Sequence, residues 1–360
     1  MHTYFLGLSL VGYDSLWGRM IRSGVAGAVG TIKRTSTFPN GDQLRTSFTG
    51  LATFDQFLIP AVIFYNNILN NRSSADQMLL IGLFTTMQTV SHCMITLGWS
   101  KGRRPRWAMW EHLFWGVFNQ AWGAAAVYPL YCFTHVQRFL SYDAKGDDEL
   151  GPSEVEEAAA LIPTAIIGAA MPAMLLYPAF STTCTTNQRQ GLIAFYRFTP
   201  LVLSLAPSFF TWLFGKAKDL GNLRLQPAKS KAYVTASLVL SGFAAAVGHG
   251  WALLGPQEGG MRRVFWPAEH IDKASPTIIA DGARDFLQWD IFVIVAALVP
   301  FADLVLRSSG AFRKLRKKGT WGSLLSDSYI VRLGALTLVS SIASPGAVLA
   351  FSLAAKTYFG

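Results

Sequence analysis

Four carboxyl groups lie inside or at the edge of long apolar segments: Asp55, Glu111, Asp290 and Asp303. Because a carboxylate loses stabilising water in a low-dielectric site, a buried carboxyl favours its protonated form. Such a group suits general acid catalysis, proton relay across a membrane, or an ion pair with a neighbouring base. Arg197 and interfacial lysines are candidate partners for Asp290 and Asp303 if ion pairing applies.

One of these acids shares a helical face with aromatic and amide side chains. At about 100° per residue, Glu111, Trp115, Asn119 and Trp122 fall within roughly 80° of one another, with Phe118 beside them. A carboxyl that faces lipid is unfavourable, so we expect this face to look into protein or a cavity. The alternative is that Glu111 reaches the membrane interface and the tryptophans form an aromatic belt.

A protonated carboxyl among aromatic rings matches the requirements of a cation-driven cyclisation of a polyprenyl chain. The acid protonates an alkene or an epoxide, and the ring faces stabilise the carbocation that forms. Exclusion of water protects that cation from early capture. The same carboxyls could instead relay protons or ions in a transporter. The residue types alone therefore leave both an enzyme and a transporter open.

The composition is that of a polytopic membrane protein. Of the 360 residues, 51% are hydrophobic and 14% are charged, whereas soluble domains carry about 25% charged residues. The net charge of +10 comes from basic clusters between apolar segments, a pattern typical of loops that flank a membrane. We therefore predict the lipid bilayer, and not nucleic acid, as the partner. The sequence does not indicate an oligomeric state.

The apolar segments predict an all-α transmembrane bundle of eight spans, with a ninth candidate at 4–32. That candidate is rich in glycine and is interrupted by Arg19 and Arg22. We treat 1–360 as a single integral domain of an internal membrane, the endoplasmic reticulum, with 255–284 as a candidate lid over a cavity. An acidic stretch at 141–157 is expected to be solvated. The eight spans are 51–69, 78–99, 107–135, 158–180, 191–214, 233–254, 286–306 and 329–353.

Metal or cofactor chemistry has little support in the sequence. His92, His112, His135 and His249 lie in different segments, without the paired spacing of a metal site. The chain lacks an aspartate-rich run, which argues against Mg²⁺-dependent ionisation of a diphosphate. A prenyl substrate would therefore be activated by protonation, and we predict that no cofactor takes part.

Five short apolar segments follow one another along the chain: FTGLATFDQFLIPAVIF (48–64), NQAWGAAAVYPLYCF (119–133), ALIPTAIIGAAMPAMLLYP (160–178), FLQWD (286–290) and SPGAV (344–348). As an ordered set, they resemble the fungal membrane-integral terpene cyclases of the macrophorin and ascofuranone type. The resemblance extends from about residue 45 to about residue 350. The last segment departs from the GPGAV form of that family, a change at a helix turn that should not alter chemistry.

The resemblance implies an enzyme that cyclises the farnesyl tail of a prenylated polyketide or aromatic acceptor. It also implies that protonation of the terminal alkene, or of an epoxide made from it, starts the reaction without a metal. Glu111 lies outside the matching motifs, so its assignment depends on the helical face alone. The positions that the resemblance singles out are Asp55, Asn119, Gln120, Pro129, Tyr131 and Asp290.

We therefore predict a membrane-integral terpene cyclase. Asp290 is the first candidate for the general acid, and Glu111 and Asp55 are alternatives or serve as the terminating base. The competing interpretations are a proton-coupled transporter of small amphipathic molecules and a receptor-like or scaffolding membrane protein. The side chains expected to contact the substrate are Trp115, Asn119, Gln120, Trp122, Tyr131 and Trp289.

Overall fold

The computed structural model describes residues 1–100, 105–140, 150–152, 154–221, 225–309 and 328–359. Most of the acidic stretch predicted at 141–157 and most of the basic loop that follows Arg307 lie outside these residues. The described part is helical, and its β pairing is limited to one antiparallel bridge between Thr37 and Gln43. The predicted all-α class is confirmed.

The helices are numbered in chain order. A π-helical turn at Asp14–Gly18 joins α1 to α2, and a 3₁₀ turn at Pro227–Lys229 precedes α12. The bounds are α1 His2–Tyr13, α2 Arg19–Arg22, α3 Val25–Thr35, α4 Ala52–Asn71, α5 Ser74–Gly98, α6 Pro105–Trp122, α7 Ala124–Leu140, α8 Val155–Ala170, α9 Ala173–Phe180, α10 Thr186–Tyr196, α11 Thr199–Asp219, α12 Ser230–Leu254, α13 Gly260–Phe265, α14 Ile278–Ser308, α15 Tyr329–Ala343 and α16 Pro345–Phe359.

The predicted number of eight or nine spans is wrong. In the described part of the chain, four helical segments are long and apolar enough to cross a membrane: α5, α8 continued into α9, α12 and α14. The bent pairs α10–α11 and α15–α16 raise this number to six if each pair is one span. These apolar helices are consistent with a membrane protein that has fewer crossings than predicted.

A helix break inside the predicted span 107–135 accounts for part of the difference. Gly123 has a φ of 89°, in the left-handed region that favours glycine, and separates α6 from α7. A Cβ at this position would also collide with the side chains of Leu16 and Phe286. The two helices have 18 and 17 residues, and a transmembrane helix needs about 20.

Other predicted spans are divided or too polar. The last one, 329–353, bends by 119° between α15 and α16 at Ser344, where φ is 85°. The N-terminal candidate 4–32 is interrupted at Gly24, where φ is 84° and α3 begins. The helix α4 has 20 residues, yet it does not reach the hydropathy of a spanning helix. Apolar residues alone therefore overstate the number of membrane crossings.

Of the four apolar helical segments, α5 and α14 are the most buried. The longest of the described helices, α14, has 31 residues and packs against α4, α7 and α16. The helix α12 packs against α5, α8 and α16, and α11 packs against α6 and α8. Helices from both ends of the chain thus contribute to the hydrophobic core.

The N-terminal helix α1 lies against α7 at very short range. A side chain on Gly12 would overlap the carbonyl of Ala125. The Ser9 hydroxyl donates a hydrogen bond to the Ala126 carbonyl at 2.7 Å. Contact with α1 therefore fixes the position of the first turn of α7.

Asp303, one of the four candidate acids, is held in an ion-pair cluster between α14 and α15. Its carboxylate is fully buried, accepts a hydrogen bond from Arg332 at 2.6 Å and pairs with Arg307 at 3.1 Å. Of the roles considered for Asp303 in the sequence analysis, the structure shows ion pairing. Its partners are these two arginines and not Arg197. We assign Asp303 a structural role.

The candidate lid, 255–284, packs beside the bundle. Its short helix α13 contacts α5 and α14. The Gln288 side chain donates hydrogen bonds to the carbonyls of Arg263 at 2.7 Å and Val264 at 3.1 Å. All of 255–284 is described, and none of it lines the cavity described below. A lid function for this segment stays a prediction.

Candidate active site

A cavity of about 450 Å³ lies among α4, α5, α6, α7, α10, α11, α14 and the N-terminal helices α2 and α3. Ligand pockets for small organic molecules commonly have about 300–1,000 Å³. The wall of this cavity is largely apolar, with a small number of polar side chains. Its aromatic lining consists of Trp17, Phe57, Phe64, Tyr65, Phe84, Trp115, Tyr128, Tyr196 and Phe286.

Asp290, the first candidate acid, lines this cavity and is 1% exposed. Its Oδ1 accepts a hydrogen bond of 2.7 Å from the backbone N–H of Ala125, in the first turn of α7. The first N–H groups of a helix lack partners within the helix and carry partial positive charge. The break at Gly123 therefore places a helix N-terminus where it can stabilise the Asp290 carboxylate that remains after loss of a proton.

His112 forms a hydrogen-bonded chain with two serines, and Ser91 and His112 both line the cavity. Ser204 donates its own proton to the Pro200 carbonyl at 2.6 Å. Its oxygen must therefore accept from Nδ1–H of His112, at 2.6 Å. In the neutral imidazole, which carries one N–H, the other nitrogen, Nε2, is then the acceptor for the Ser91 hydroxyl at 2.7 Å. The imidazole thus presents a basic nitrogen toward the cavity through Ser91.

Arg197 also lines the cavity, at the 54° bend between α10 and α11. Its Nη1 donates to the Gln120 carbonyl at 2.8 Å, and its guanidinium lies 5.4 Å from the centre of the Phe57 ring. Asp290 and Arg197 share the cavity lining, and none of the ion pairs among the described residues joins them. The cavity therefore holds an acid and a guanidinium that do not neutralise one another.

Glu111 and Tyr131, both predicted site residues, form a cluster behind the cavity wall. Glu111 bonds to His135 Nε2 at 2.8 Å, and the His135 ring stacks on Tyr131 with 4.1 Å between centroids. Trp115 lies edge-on to Tyr131 at 5.6 Å and is the member of this group that lines the cavity. The predicted helical face is therefore divided between the cavity and this cluster.

Asp55 lies at the start of α4, outside the cavity lining. Its carboxylate accepts hydrogen bonds from the backbone N–H and the hydroxyl of Thr49, both at 2.9 Å, and from the Gly50 N–H at 3.2 Å. These bonds organise the turn that precedes the helix. The neighbouring Gln56 and Phe57 line the cavity in its place.

Four of the nine predicted site residues line the cavity: Asp290, Trp115, Asn119 and Gln120. Besides Glu111, Tyr131 and Asp55, two tryptophans lie elsewhere. Trp122 is 40% exposed and packs against Tyr13 and Trp17. Trp289 lies beneath the Arg19 guanidinium and against Phe292.

Comparison with known proteins identifies the family of this chain. The model of the CtvD domain matches residues 1–354. The chain belongs to the CtvD domain family. Three curated relatives of this CtvD family member carry the name terpene cyclase, and no solved structure matches it.

The relatives cover nearly the whole chain. Terpene cyclase alnG of Emericella nidulans is 33% identical over 369 residues, which cover 97% of this chain and 92% of alnG. Terpene cyclase DEP1 of Alternaria brassicicola is 26% identical over 379 residues, which cover 98% of this chain and 97% of DEP1. The predicted resemblance to fungal terpene cyclases and the predicted enzyme class are thereby confirmed. The names of these relatives do not specify the macrophorin and ascofuranone subtype.

Several polar residues that line the cavity of this protein were not identified in the sequence analysis. Gln88 and Ser91 lie on one face of α5, among Phe84, Met87 and Met94 at intervals of three or four residues. That spacing is the signal that could have identified them. The other missed polar residues of the lining are Gln56, Tyr65, His112, Tyr128, Tyr196, Arg197 and Thr199.

Proposed function

We propose that this protein is a membrane-bound terpene cyclase that acts on the farnesyl chain of an aromatic or polyketide acceptor. It protonates the terminal alkene, or an epoxide made from it, and guides the cyclisation without a metal ion. The observation that carries the proposal is the position of Asp290. This carboxyl is enclosed in an aromatic cavity and receives a helix N-terminal N–H.

The first step is proton transfer from the Asp290 carboxyl. With an alkene, the π electron pair forms a new C–H bond and leaves a tertiary cation. With an epoxide, the ring oxygen takes the proton and one C–O bond breaks as the neighbouring π bond attacks. In both cases the carboxylate left behind is stabilised by the Ala125 N–H and the N-terminal end of α7.

Aromatic rings guide the cation through the following steps. Trp115, Phe64 and Phe286 line the same cavity as Asp290. A ring face attracts a desolvated cation and cannot react with it as water would. We therefore assign these rings the role of folding the chain and stabilising successive cations.

Termination requires a base, and we assign that role to His112 acting through Ser91. A C–H bond next to the last cation breaks, and its electron pair forms the product alkene. The released proton moves to Ser91 Oγ as the Ser91 proton moves to Nε2 of His112. The imidazolium is then held by Ser204. Glu111 and Asp55, the bases predicted from the sequence, do not line the cavity.

We assign the protein to the membrane of the endoplasmic reticulum, where a lipophilic substrate enters the cavity from the bilayer. The support is the set of apolar helices long enough to cross a membrane. Large apolar side chains also project outward from α11 and α12, including Phe209, Trp212, Phe243 and Trp251. Their exposure suits contact with lipid.

A conversion assay tests the proposal. Microsomes that contain the protein are incubated with a farnesyl phenol or with its terminally epoxidised form. We expect a cyclic isomer of equal mass, identified by chromatography and mass spectrometry. Comparison of the two substrates decides between an alkene and an epoxide trigger. Unchanged substrate that accumulates inside sealed vesicles would contradict the proposal and support a transporter.

Chelation of divalent metal ions should leave the rate of cyclisation unchanged. In the described residues, no group of three or more His, Cys, Asp or Glu side chains is placed to hold a metal ion. We therefore expect microsomal activity to persist in excess EDTA, measured as the initial rate of product formation. Loss of activity that Mg²⁺ restores would instead indicate ionisation of a diphosphate.

Replacement of the terminating base should alter the products more than the consumption of substrate. In His112→Gln, Asp290 is intact, so cations still form, but the final proton has no strong acceptor. Because a positioned base contributes about 10²–10⁴-fold, we expect hydrated products to exceed the cyclic alkene. Product ratios at matched protein levels provide the measurement.

His92→Gln is the matched control for this variant. His92 is buried on α5 and bonds to a serine, Ser237, at 3.1 Å, but it does not line the cavity. Its replacement should leave the product ratio unaltered. An identical shift in both variants would point to general damage and remove His112 from the role of base.

A further inference from the structure

Arg197, a half-buried arginine of the cavity wall, differs in its surroundings from Arg332, Arg284 and Arg19. The guanidinium of Arg332 pairs with Asp303, that of Arg284 pairs with Asp76, and that of Arg19 pairs with Asp285. No described carboxylate pairs with Arg197. A cation that is partly withdrawn from water favours a negatively charged partner, and a molecule bound in the cavity can supply one.

The hydrogen bonds of the guanidinium leave room for such a partner. One bond, from Nη1 to the Gln120 carbonyl at 2.8 Å, holds the group in place. Its Nε is buried and has no hydrogen-bond partner in the described chain, and Nη2 donates to no described residue. The planar fork of donors in arginine matches two oxygens of a carboxylate. The free donors therefore suit an anionic oxygen group.

Two acceptors on the cavity wall are also unused. The Asn119 Oδ1 and the Gln88 Oε1 are buried, belong to residues that line the cavity, and have no hydrogen-bond partner in the described chain. Buried carbonyl oxygens are normally hydrogen-bonded. Hydroxyl groups on a bound molecule would satisfy both of them. Arg197 thus provides free donors for an anionic oxygen, and Asn119 and Gln88 provide free acceptors for O–H groups.

We propose that Arg197 is the binding site for an anionic oxygen, carboxylate or phenolate, on the acceptor end of the substrate. Asn119 and Gln88 accept hydrogen bonds from hydroxyl groups of the same acceptor. Arg197, Tyr65 and Asp290 line the same cavity, so the two charged groups lie in one connected space. Fixing the acceptor at Arg197 places its prenyl tail against the aromatic wall and Asp290.

This inference rests on the proposed function for its choice of ligand, so it is tested by binding without turnover. The protein is prepared with Asp290→Asn in lipid nanodiscs. Four probes are compared: a farnesylated hydroxybenzoic acid, its methyl ester, a farnesyl phenol and the methyl ether of that phenol. Affinity is measured by quenching of tryptophan fluorescence and by calorimetry. A failure of cyclisation in the unmodified protein leaves these affinities measurable, which separates the two proposals.

We expect the acid to bind at least about tenfold more tightly than its ester, because one charge-assisted pair is lost in the ester. A preference of the phenol over its ether, with no preference of the acid over its ester, would identify a phenolate as the anion. Arg197→Met should remove the preference, and Arg197→Lys should keep part of it. The lysine variant and the probe series still decide the question if the methionine variant does not fold.

Several outcomes would overturn the proposal. Equal affinity for both members of each probe pair in the protein with Arg197 intact is one, and a preference that survives Arg197→Met is another. Oleate that binds as tightly as the farnesylated acid would show that the site takes a lipid carboxylate and not the acceptor. Arg34→Met, at an exposed arginine on α3 outside the cavity lining, is the control and should retain the full preference.

Discussion

Asp290→Asn should abolish cyclisation while the protein still folds and inserts into the membrane. The amide keeps the size and polarity of the carboxyl, but it cannot donate a proton to carbon or to an epoxide oxygen. General acids contribute about 10²–10⁴-fold, and here the proton transfer is also the initiating step, so we expect a loss of at least about 10³-fold. Initial rates at matched membrane levels provide the measurement.

Two further variants, Asp303→Asn and Glu111→Gln, serve as comparisons for Asp290→Asn. Asp303→Asn alters another buried aspartate of α14, which pairs with Arg332 and Arg307 outside the cavity. It should lower the amount of folded protein while the rate per folded molecule stays the same. Substantial turnover by Asp290→Asn, together with a loss in Glu111→Gln, would transfer the role of acid to Glu111.

Trp115→Ala should change the ratio of products while the amount of protein in the membrane stays close to that of the unmodified protein. A ring face contributes about 2 kcal/mol or more to a desolvated cation. About 1.4 kcal/mol corresponds to a tenfold change in rate. The rate of early deprotonation or water capture, relative to the rate of full cyclisation, should therefore rise more than tenfold. We expect monocyclic and hydrated products, quantified by chromatography at matched protein levels.

Trp122 and Trp110 supply the controls for the ring substitution. Both lie on α6 with Trp115, but they are 40% and 57% exposed and do not line the cavity. Trp122→Ala and Trp110→Phe should therefore keep the product profile. If Trp115→Ala merely lowers all products in proportion, the ring acts in packing and not in stabilising a cation.

The local pattern was sufficient to predict part of the site. Asp290 was identified because it lies in a strongly apolar segment beside a tryptophan, and Trp115 and Asn119 because they share a helical face. The face was centred on Glu111, however. On the helical wheel, His112 lies about 20° from Asn119, whereas Glu111 lies about 80° from it. The cavity follows the side of the helix that carries His112.

The missing parts depend on contacts between distant segments. The break at Gly123 is required by its φ and by the approach of Leu16 and Phe286, and neither contact can be read from the sequence near Gly123. Asp303 and Arg197 are both charged residues in apolar segments. Only the packing of α15 against α14 distinguishes the paired aspartate from the unpaired arginine.

The close contact between α1 and α7 limits which residues this chain can carry at position 12. Position 12 admits no side chain, because Ala125 occupies the space, and Ala125 supplies the N–H that Asp290 accepts. A larger residue at position 12 would push the first turn of α7 away from the acid. The outward face of the same helix carries exposed residues such as Leu10 and Val11, which are free to exchange among apolar types. We therefore expect substitutions on the inward face of α1 to disturb the reaction and apolar substitutions on its outward face to be tolerated.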